Sequence, residues 1–247
     1  MSQSINSISL ASLSIMLLPA LLVLGIMLRW SMPASNALYA LMRMLVQLLI
    51  VGYFLAFIFA SDNALFIIGI LGIMLFAASW IALNASQAQR KKLFLPVLLS
   101  TAAGAGSLLL LVTQGVLQLE PWYSPQYMIP LAGMLLANTM NSISLAAERM
   151  QAEINYQKNF TQARNVAFQA AMIPVVNSLF AVGIVSLPGM MTGQILAGVE
   201  PLIAARYQIM VMLMIFASSG IGVACFLQLS RRQFSPADPA ADPTAAK

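Results

Sequence analysis

ALFIIGILGIMLFAASWIAL, residues 64–83, carries no charged side chain. A helix that crosses a membrane needs roughly 20 mostly apolar residues. The chain contains seven such candidate segments, at about residues 8–28, 38–60, 64–83, 93–117, 127–147, 170–187 and 207–229. The pattern predicts an all-α polytopic membrane protein with about seven transmembrane helices.

The composition agrees with this class. The 247 residues are 60% hydrophobic and 8% charged, and the mean hydropathy is +0.87, whereas a soluble domain carries about 25% charged residues. The opening MSQSINS lacks the positive charge of a signal peptide, so we interpret the first segment as an uncleaved helix. We expect one transmembrane domain over residues 1–230. Residues 231–247, rich in Pro, Ala and Asp, are expected to be a disordered cytoplasmic tail.

Lysine and arginine mark one side of the membrane, because cytoplasmic loops carry the excess of these residues. In a seven-helix chain they fall in alternate loops and the tail, at Arg29, Arg90, Lys91, Lys92, Arg149, Lys158, Arg164, Arg231 and Arg232. The opposite loops hold Asp62, Glu120 and Glu200, with Arg206 nearby. We predict an N-terminus outside and a C-terminus in the cytoplasm of a bacterial inner-membrane protein. The positive net charge then reflects topology, and no nucleic-acid partner is needed.

Residues 148–169 form the largest predicted cytoplasmic segment. No Gly or Pro occurs from Met134 to Ile173, which favours helices over a turn-rich loop. Two apolar pairs four residues apart indicate a docking stripe, namely Met150 with Ile154 and Tyr156 with Phe160. The alternative is a helix lying at the lipid headgroups.

The sequence lacks the residue types and motifs that most enzymes use for catalysis. It has no histidine and one cysteine, Cys225, so the commonest metal ligand and neutral-pH acid–base group is missing. None of its four lysines lies in a GxxxxGK[ST] phosphate-binding loop. We predict no catalytic residue, no metal ligand and no cofactor in this chain, and any ATP-driven work would use a separate ATPase subunit.

Polar side chains inside the predicted spans are candidate pathway residues, because they are costly in lipid. They are Arg43 and Gln47 in the second span, Asn138, Asn141 and Ser142 in the fifth, and Asn177 and Ser178 in the sixth. The alternatives are snorkelling for Arg43 and interhelical hydrogen bonds for the others.

SLPGMMTGQILAG, residues 186–198, interrupts the apolar pattern after the sixth span. We interpret it as a hinge or gate, and the QILAGVEPLIAARY that follows (194–207) as a short re-entrant or interfacial helix, since irregular backbone at membrane depth needs protein or a cavity beside it. The residues concerned are Pro188, Gly189, Met190, Met191 and Gly193. The two thioethers would suit Cu(I) if they bound any metal, and plain packing is the alternative.

Three stretches resemble the FetB-type permease family. They are RMLVQLLIVGYFLAFIF (43–59), MIPLAGMLLANTM (128–140) and VGIVSLPGMMTGQILAG with ARYQIMV (182–198 and 205–211). The resemblance covers about residues 36–229. It implies the membrane subunit of an ABC transporter, with two copies each of the permease and an ATP-binding subunit, and it implies iron export. The expected ATPase-docking residues are Glu148, Arg149, Ile154, Tyr156 and Phe160.

The chain also departs from this family. No L-G-A-like turn of the kind that docks on the ATPase occurs in ERMQAEINYQKNFTQARN, and Gln169 and Asn177 stand where family members tend to carry charge. Two alternatives therefore remain open: a permease for another solute, such as a nucleotide sugar, or a membrane scaffold or regulator that has lost ATPase docking.

Overall fold

The structure, a computed structural model, describes residues 9–84, 89–156 and 159–234. In this part of the chain the regular structure is helical, apart from one isolated bridge between Val182 and Ser186, so the all-α prediction is confirmed. The helices are α1 (Leu10–Ile15), α2 (Leu17–Arg29), α3 (Ala34–Phe59), α4 (Ala64–Ala82), α5 (Arg90–Thr101), α6 (Ser107–Leu110), α7 (Pro125–Asn155), α8 (Phe160–Ala181), α9 (Gly189–Leu196), α10 (Pro201–Leu229) and α11 (Arg231–Phe234).

Six helices of the described residues are long and apolar enough to cross a membrane: Ser12–Arg29, Ala34–Phe59, Ala64–Ala82, Arg90–Val116, Pro125–Asn155 and Pro201–Leu229. The predicted sixth span, 170–187, is misplaced. Its helix is α8, which begins ten residues earlier, in the polar sequence FTQARN, and ends at Ala181. α8 nevertheless has 22 residues and, at about 1.5 Å per residue, the length to span a membrane.

The chain divides into two compact units, residues 1–61 and 62–247. Whether both belong to one transmembrane domain stays a prediction. In the first unit, α2 and α3 are joined by a short turn in which Ser31 has a φ of 56°. Leu24 is the one buried residue within α2, and Ala34 the one within α3. Two apolar helices with so little internal burial suit contact with lipid.

The second unit is a helical bundle with two apolar clusters. The first joins the end of α4, the start of α5, the end of α7, the start of α8 and the end of α10. The second joins the start of α4, the end of the α5–α6 helix and the starts of α7 and α10. The helices from α4 onward therefore alternate in direction, with α8 leaving the end at which α7 arrives.

Most of the described basic residues of the second unit lie at the end that holds the first cluster, whereas Arg206, near the start of α10, lies at the other end. Arg90 and Lys92 lie close before buried Leu93, Arg149 precedes buried Met150, and Arg231 lies three residues before buried Phe234. The loops near Glu120 and Glu200 lie at the other end. The bundle thus separates these charges between its two ends, as topology requires; which end is cytoplasmic stays a prediction.

The predicted tail is ordered at its start. Residues 231–234 form α11, and Phe234 is 4% exposed, with its ring edge-on to Phe226 at 6.4 Å between centroids. The expectation of disorder is wrong for these four residues, because a buried aromatic ring stabilises the last turn against the bundle. Residues 235–247 of the predicted tail lie outside the described residues.

The helix Arg90–Val116 contains two π-helical turns, Ala102–Gly106 and Leu111–Val116. The first crosses α10 at backbone contact. A Cβ on Gly104 would lie 2.5 Å from the Ser218 carbonyl oxygen and 2.9 Å from the Gly222 Cα, whereas a Cβ on Gly106 would meet nothing within 4 Å. The close approach of the two helices therefore depends on Gly104.

Candidate functional site

The SLPGMM stretch forms a tight turn followed by a short helix. After α8 ends, the amides of Val185 and Ser186 donate to the Ala181 carbonyl at 2.8 and 3.1 Å, and Gly183 has a φ of 83°. Pro188 then precedes α9. Eight residues span only about 12 Å, so α9 is too short to cross a membrane. A short helix is present, but the prediction placed it in residues 194–207, whereas α9 covers Gly189–Leu196 and α10 already begins at Pro201. A re-entrant or interfacial position for α9 stays a prediction.

The glycines of this stretch are not demanded by close packing. A Cβ on Gly189 or Gly193 would meet nothing within 4 Å. The Thr192 hydroxyl donates to the Pro188 carbonyl at 3.0 Å and closes the first turn of α9. A hinge role for Pro188 and Gly189 therefore has to come from backbone freedom, and it stays a prediction.

A cavity of about 200 Å³ lies between α7, α9 and α10, and we call it the methionine cavity. Each of these helices contributes one methionine to it, namely Met134, Met190 and Met210. The other lining residues are Leu117, Gln126, Tyr127, Pro130, Leu131, Gln194 and Tyr207. The structure thus assigns different surroundings to the two predicted gate methionines, because Met190 lines the cavity and Met191 does not.

One polar atom of the methionine cavity is left without a partner. The Gln194 Oε1 atom is buried and accepts no hydrogen bond. A buried amide oxygen without a donor costs free energy, about 1–3 kcal/mol, so such atoms are rare in native proteins. Met190 packs at the same time against the second apolar cluster, which holds α9 over the cavity.

The predicted pathway residues belong to both units, and each unit places its own members differently. In the first unit, Arg43 and Gln47 are exposed neighbours on α3; with the amide turned to accept, the Gln47 oxygen lies 3.0 Å from Arg43 Nε. In the second unit, Asn138 donates to the Met134 carbonyl at 2.8 Å, which is a bond within its own helix. These three side chains therefore have hydrogen-bond partners on their own helices, which is compatible with a structural role.

The remaining members differ in burial. Ser142 is 2% exposed inside the bundle, and Asn141 is exposed on the same helix. On α8, Asn177 is exposed, and the Ser178 hydroxyl donates to the Pro174 carbonyl at 2.9 Å. Their role in a pathway stays a prediction.

A polar stripe runs along the exposed face of α8, and we call it the amide stripe. It consists of Asn165, Gln169 and Asn177, which are four and eight residues apart and exposed. Three grooves of about 340, 390 and 430 Å³ share Phe168 and follow this face. The α10 side of the grooves includes Ala217, Gly220 and Ala224, whose small side chains permit close approach of another helix.

A seam of buried hydroxyl groups lies where α7, α10 and the α5 helix meet. Thr101, Thr139 and Ser219 are fully buried, and their hydroxyl oxygens have no hydrogen-bond partner. Sequence analysis passed over them because single hydroxyl residues in apolar helices are common and carry no periodic signal. Their one sequence signal is the proximity of Thr101 to Gly104, and of Ser219 to Gly222.

The predicted docking segment splits into an inner and an outer face. α7 continues without a break to Asn155, which confirms the predicted helical extension. Met150 is fully buried, and Ile154 and Phe160 pack against the first apolar cluster, so the predicted apolar stripe points inward. Among the expected docking residues, the side chains of Glu148, Arg149 and Tyr156 are exposed.

Ion pairs and stacking order this end of the bundle. Arg149 Nη2 lies 2.6 Å from Glu153 Oε1, and the Arg90 guanidinium lies 3.9 Å from the centroid of the Trp80 ring. Gln89 donates to the Gln151 amide oxygen at 2.7 Å, linking α7 to the start of α5. The exposed side chains named above therefore sit on a rigid platform.

No cluster of three His, Cys, Asp or Glu side chains able to hold a metal occurs within residues 9–84, 89–156 and 159–234. Iron prefers carboxylate and imidazole ligands in such sites. Apart from charged side chains near its ends, such as the Arg149–Glu153 pair, the polar groups of the described bundle are amides and hydroxyls, with thioethers beside them.

An alternating bundle of apolar helices, with a short helix over a cavity at one end and most of the basic charge at the other, defines a multi-pass membrane protein. Residues 8–235 match the Uncharacterised protein family (UPF0014), and the chain belongs to that family. No solved structure matches the chain.

Three relatives illustrate the range of the family. UPF0014 membrane protein slr1647 of Synechocystis is 39% identical over 81% of this chain and 83% of the relative. The probable iron export permease protein FetB of Escherichia coli is 32% identical over 78% of this chain and 80% of the relative. The protein ALUMINUM SENSITIVE 3 of Arabidopsis thaliana is 29% identical over 81% of this chain and 78% of the relative. The resemblance stated from the sequence is confirmed, as is a membrane location compatible with the bacterial inner membrane.

Proposed function

We propose that this chain is the membrane-spanning permease subunit of an ATP-driven exporter, in which a separate ATP-binding subunit binds the basic end of the second unit. The observation that carries the proposal is the platform at that end. α7 has 31 residues, about 46 Å at 1.5 Å per residue, which exceeds a hydrocarbon core of about 30 Å. The surplus turns are fixed to the start of α8, so a push on them would move both helices.

The exposed side chains of the platform are suited to docking. Tyr156 is 80% exposed at the end of α7, and Arg149 and Glu148 are exposed about two turns earlier. An aromatic ring flanked by charges of both signs is the usual composition of an interaction hot spot with a polar rim. This platform takes the place of the docking turn that the sequence lacks.

We further propose that two copies of the chain pair through the amide stripe. The Asn165 oxygen already accepts from Arg164 Nη2 at 3.1 Å, but the exposed amides of Gln169 and Asn177 would leave donors and acceptors unsatisfied wherever they face lipid, a solvent that cannot bond to them. A second copy offers the same donors and acceptors about a two-fold axis, and amide contacts between membrane helices contribute about 0.6–2 kcal/mol each. A pathway for substrate at this interface would then be lined by Gln169 and Asn177.

Iron is the first substrate to test, because the relative from Escherichia coli is named a probable iron export permease. The described bundle lacks clustered carboxylates, so we expect iron to cross with part of its hydration shell, facing amide and hydroxyl groups. A neutral or weakly charged organic solute is the second candidate, and the uncharged amide stripe is the feature that favours it.

Co-purification with the ATP-binding subunit tests the proposal. The chain would be co-expressed with candidate ATP-binding subunits from the same genome and isolated in detergent, and ATP-dependent uptake of iron would be measured in inside-out vesicles. Tyr156→Ala should lower ATPase recovery about tenfold, the effect of losing a hot spot worth about 1.4 kcal/mol. Tyr53→Ala is the matched control, since Tyr53 is 81% exposed on α3 of the first unit. Equal recovery with both variants would refute the docking surface, and repeated absence of any ATPase would favour the scaffold alternative.

A further inference from the structure

The methionine cavity is too small for an organic ligand. Pockets for such ligands are about 300–1,000 Å³, whereas this one is about 200 Å³. A space of this size holds a metal ion bound by the lining side chains, or a few water molecules. The occupant must therefore be argued from the atoms of the lining.

The lining has an unusual set of donor atoms. Its ten residues include three thioethers, two amides and two phenols, and no Asp, Glu, His or Cys. Hard cations such as Mg²⁺ and Ca²⁺ take oxygen ligands, and iron takes carboxylates and imidazoles, whereas thioethers select Cu(I) among the common metals. Three thioethers contributed by three different helices are the donor set for a soft ion.

A second observation points to a ligand in the same space. The Gln194 Oε1 atom is buried without a hydrogen-bond donor, and Gln194 lines the methionine cavity. Packing explains a methionine among apolar neighbours, but packing does not compensate a buried amide oxygen. A cation in the cavity would do so once the Gln194 side chain rotated its oxygen toward the ion.

We propose that the methionine cavity binds a soft monovalent cation, Cu(I) or its analogue Ag(I), through the sulfur atoms of Met134, Met190 and Met210, with the Gln194 carbonyl facing the bound ion. The proposal rests on the proposed permease function as far as transport is concerned, since it names a class of ion for that permease. Binding itself requires no ATPase. α9 contributes Met190 and Gln194, so ion binding also ties the SLPGMM helix to α7 and α10.

The test is anaerobic titration of the purified full-length chain with Cu(I) in competition with a chromophoric chelator. We expect one equivalent to bind, with sulfur neighbours in the copper X-ray absorption spectrum. Met190→Leu should weaken binding about tenfold or more, as is usual when a metal site loses a supporting group, and the triple variant with Met134→Leu and Met210→Leu should abolish it. Met191→Leu is the matched control, because Met191 is the neighbouring residue and does not line the cavity.

Folding is checked by thermal unfolding without metal. Met to Leu conserves volume, so each single variant should keep its fold; if the triple variant does not, Met190→Leu and Met191→Leu decide the question. Failure of the wild-type chain to bind Cu(I), equal affinity of these two variants, or an Fe(II)-induced stabilisation that depends on Met190 would overturn the proposal. A chain that binds Cu(I) but recruits no ATPase would refute the proposed permease alone. A chain that recruits an ATPase but binds no Cu(I) would refute the ion site alone.

Discussion

Gly104→Ala should destabilise the second unit, because the added methyl group would enter a backbone-to-backbone helix crossing. The new Cβ would lie 2.5 Å from the Ser218 carbonyl oxygen and 2.9 Å from the Gly222 Cα. The helices would have to separate by about 0.9 Å, the difference between 2.5 Å and the 3.4 Å at which ordinary contact begins. A gap of 0.5–1 Å forfeits roughly a quarter to a half of the dispersion energy of the atoms that face it.

We expect the free energy of unfolding to fall by about 2–3 kcal/mol, the upper part of the range for overpacking. For a chain of this size that lowers the melting temperature by roughly 5–10 °C. Thermal unfolding of the detergent-purified protein, followed by tryptophan fluorescence, measures the shift.

Gly106→Ala is the matched control, two residues away on the same helical segment. Its Cβ would meet nothing within 4 Å, and Ala stabilises a helix relative to Gly by up to about 1 kcal/mol. The control should therefore melt at or slightly above the wild-type temperature. If the two variants melted together, the close crossing of α10 with the first π-helical turn would be refuted.

Three further predictions follow from the packing and the turn. Gly222→Ala should destabilise the fold because its Cβ would lie 2.5 Å from Thr139 Cγ2. Thr139→Ser deletes that methyl group, so the double variant should recover most of the lost melting temperature. If the two substitutions changed the melting temperature independently and additively, this contact would be contradicted. Truncation directly after Phe234 should leave the melting temperature unchanged, whereas removal of α11 as well should lower it by several degrees. The reason is that a buried Phe side chain contributes about 3–5 kcal/mol to the free energy of unfolding. Identical melting temperatures of the two truncated chains would show that α11 does not stabilise the fold. The double variant Pro188→Ala, Gly189→Ala should insert into the membrane and purify normally, yet reduce ATP-dependent transport in vesicles. Unchanged transport would refute the hinge role and show that the stretch is only a turn.

The sequence predicts the helices of this protein well and their ends less well. Runs such as residues 64–83 and 38–60 contain little but apolar residues, so length alone identifies α4 and α3. α8 was misplaced because its first two turns, FTQARN, are polar, and a hydropathy argument begins a span only where polarity ends. The Asn159 side-chain oxygen accepts a hydrogen bond from the Gln162 backbone N–H at 2.9 Å and caps the helix there. Such a cap is a local signal that a search for apolar residues does not detect.

The site could be predicted only as far as local sequence reaches. SLPGMM marks a break, which is present, while the short helix predicted after it begins earlier, at Gly189. The residues that line the cavity together with Met190 could not be predicted from the sequence. Met134 and Met210 lie 56 and 20 residues away along the chain, and only the packing of α7 and α10 brings them to the same cavity. The inward turn of Ile154 and Phe160 was missed for the same reason, since an apolar pair on a helix does not say which partner covers it.

The two π-helical turns between Thr101 and Leu117 have a consequence for how this family can change. A π-helical turn accommodates one more residue than an α-helical turn, so each acts as a single-residue insertion absorbed inside a continuous helix. Loss of that residue would convert the turn into an α-helical one and leave the residues beyond it in register, with Leu108 and Leu109 still facing the second apolar cluster that they now fill. A one-residue deletion inside either π-helical turn should therefore be tolerated better than a deletion in an α-helical stretch such as Arg90–Thr101, which would rotate everything beyond it by about 100°.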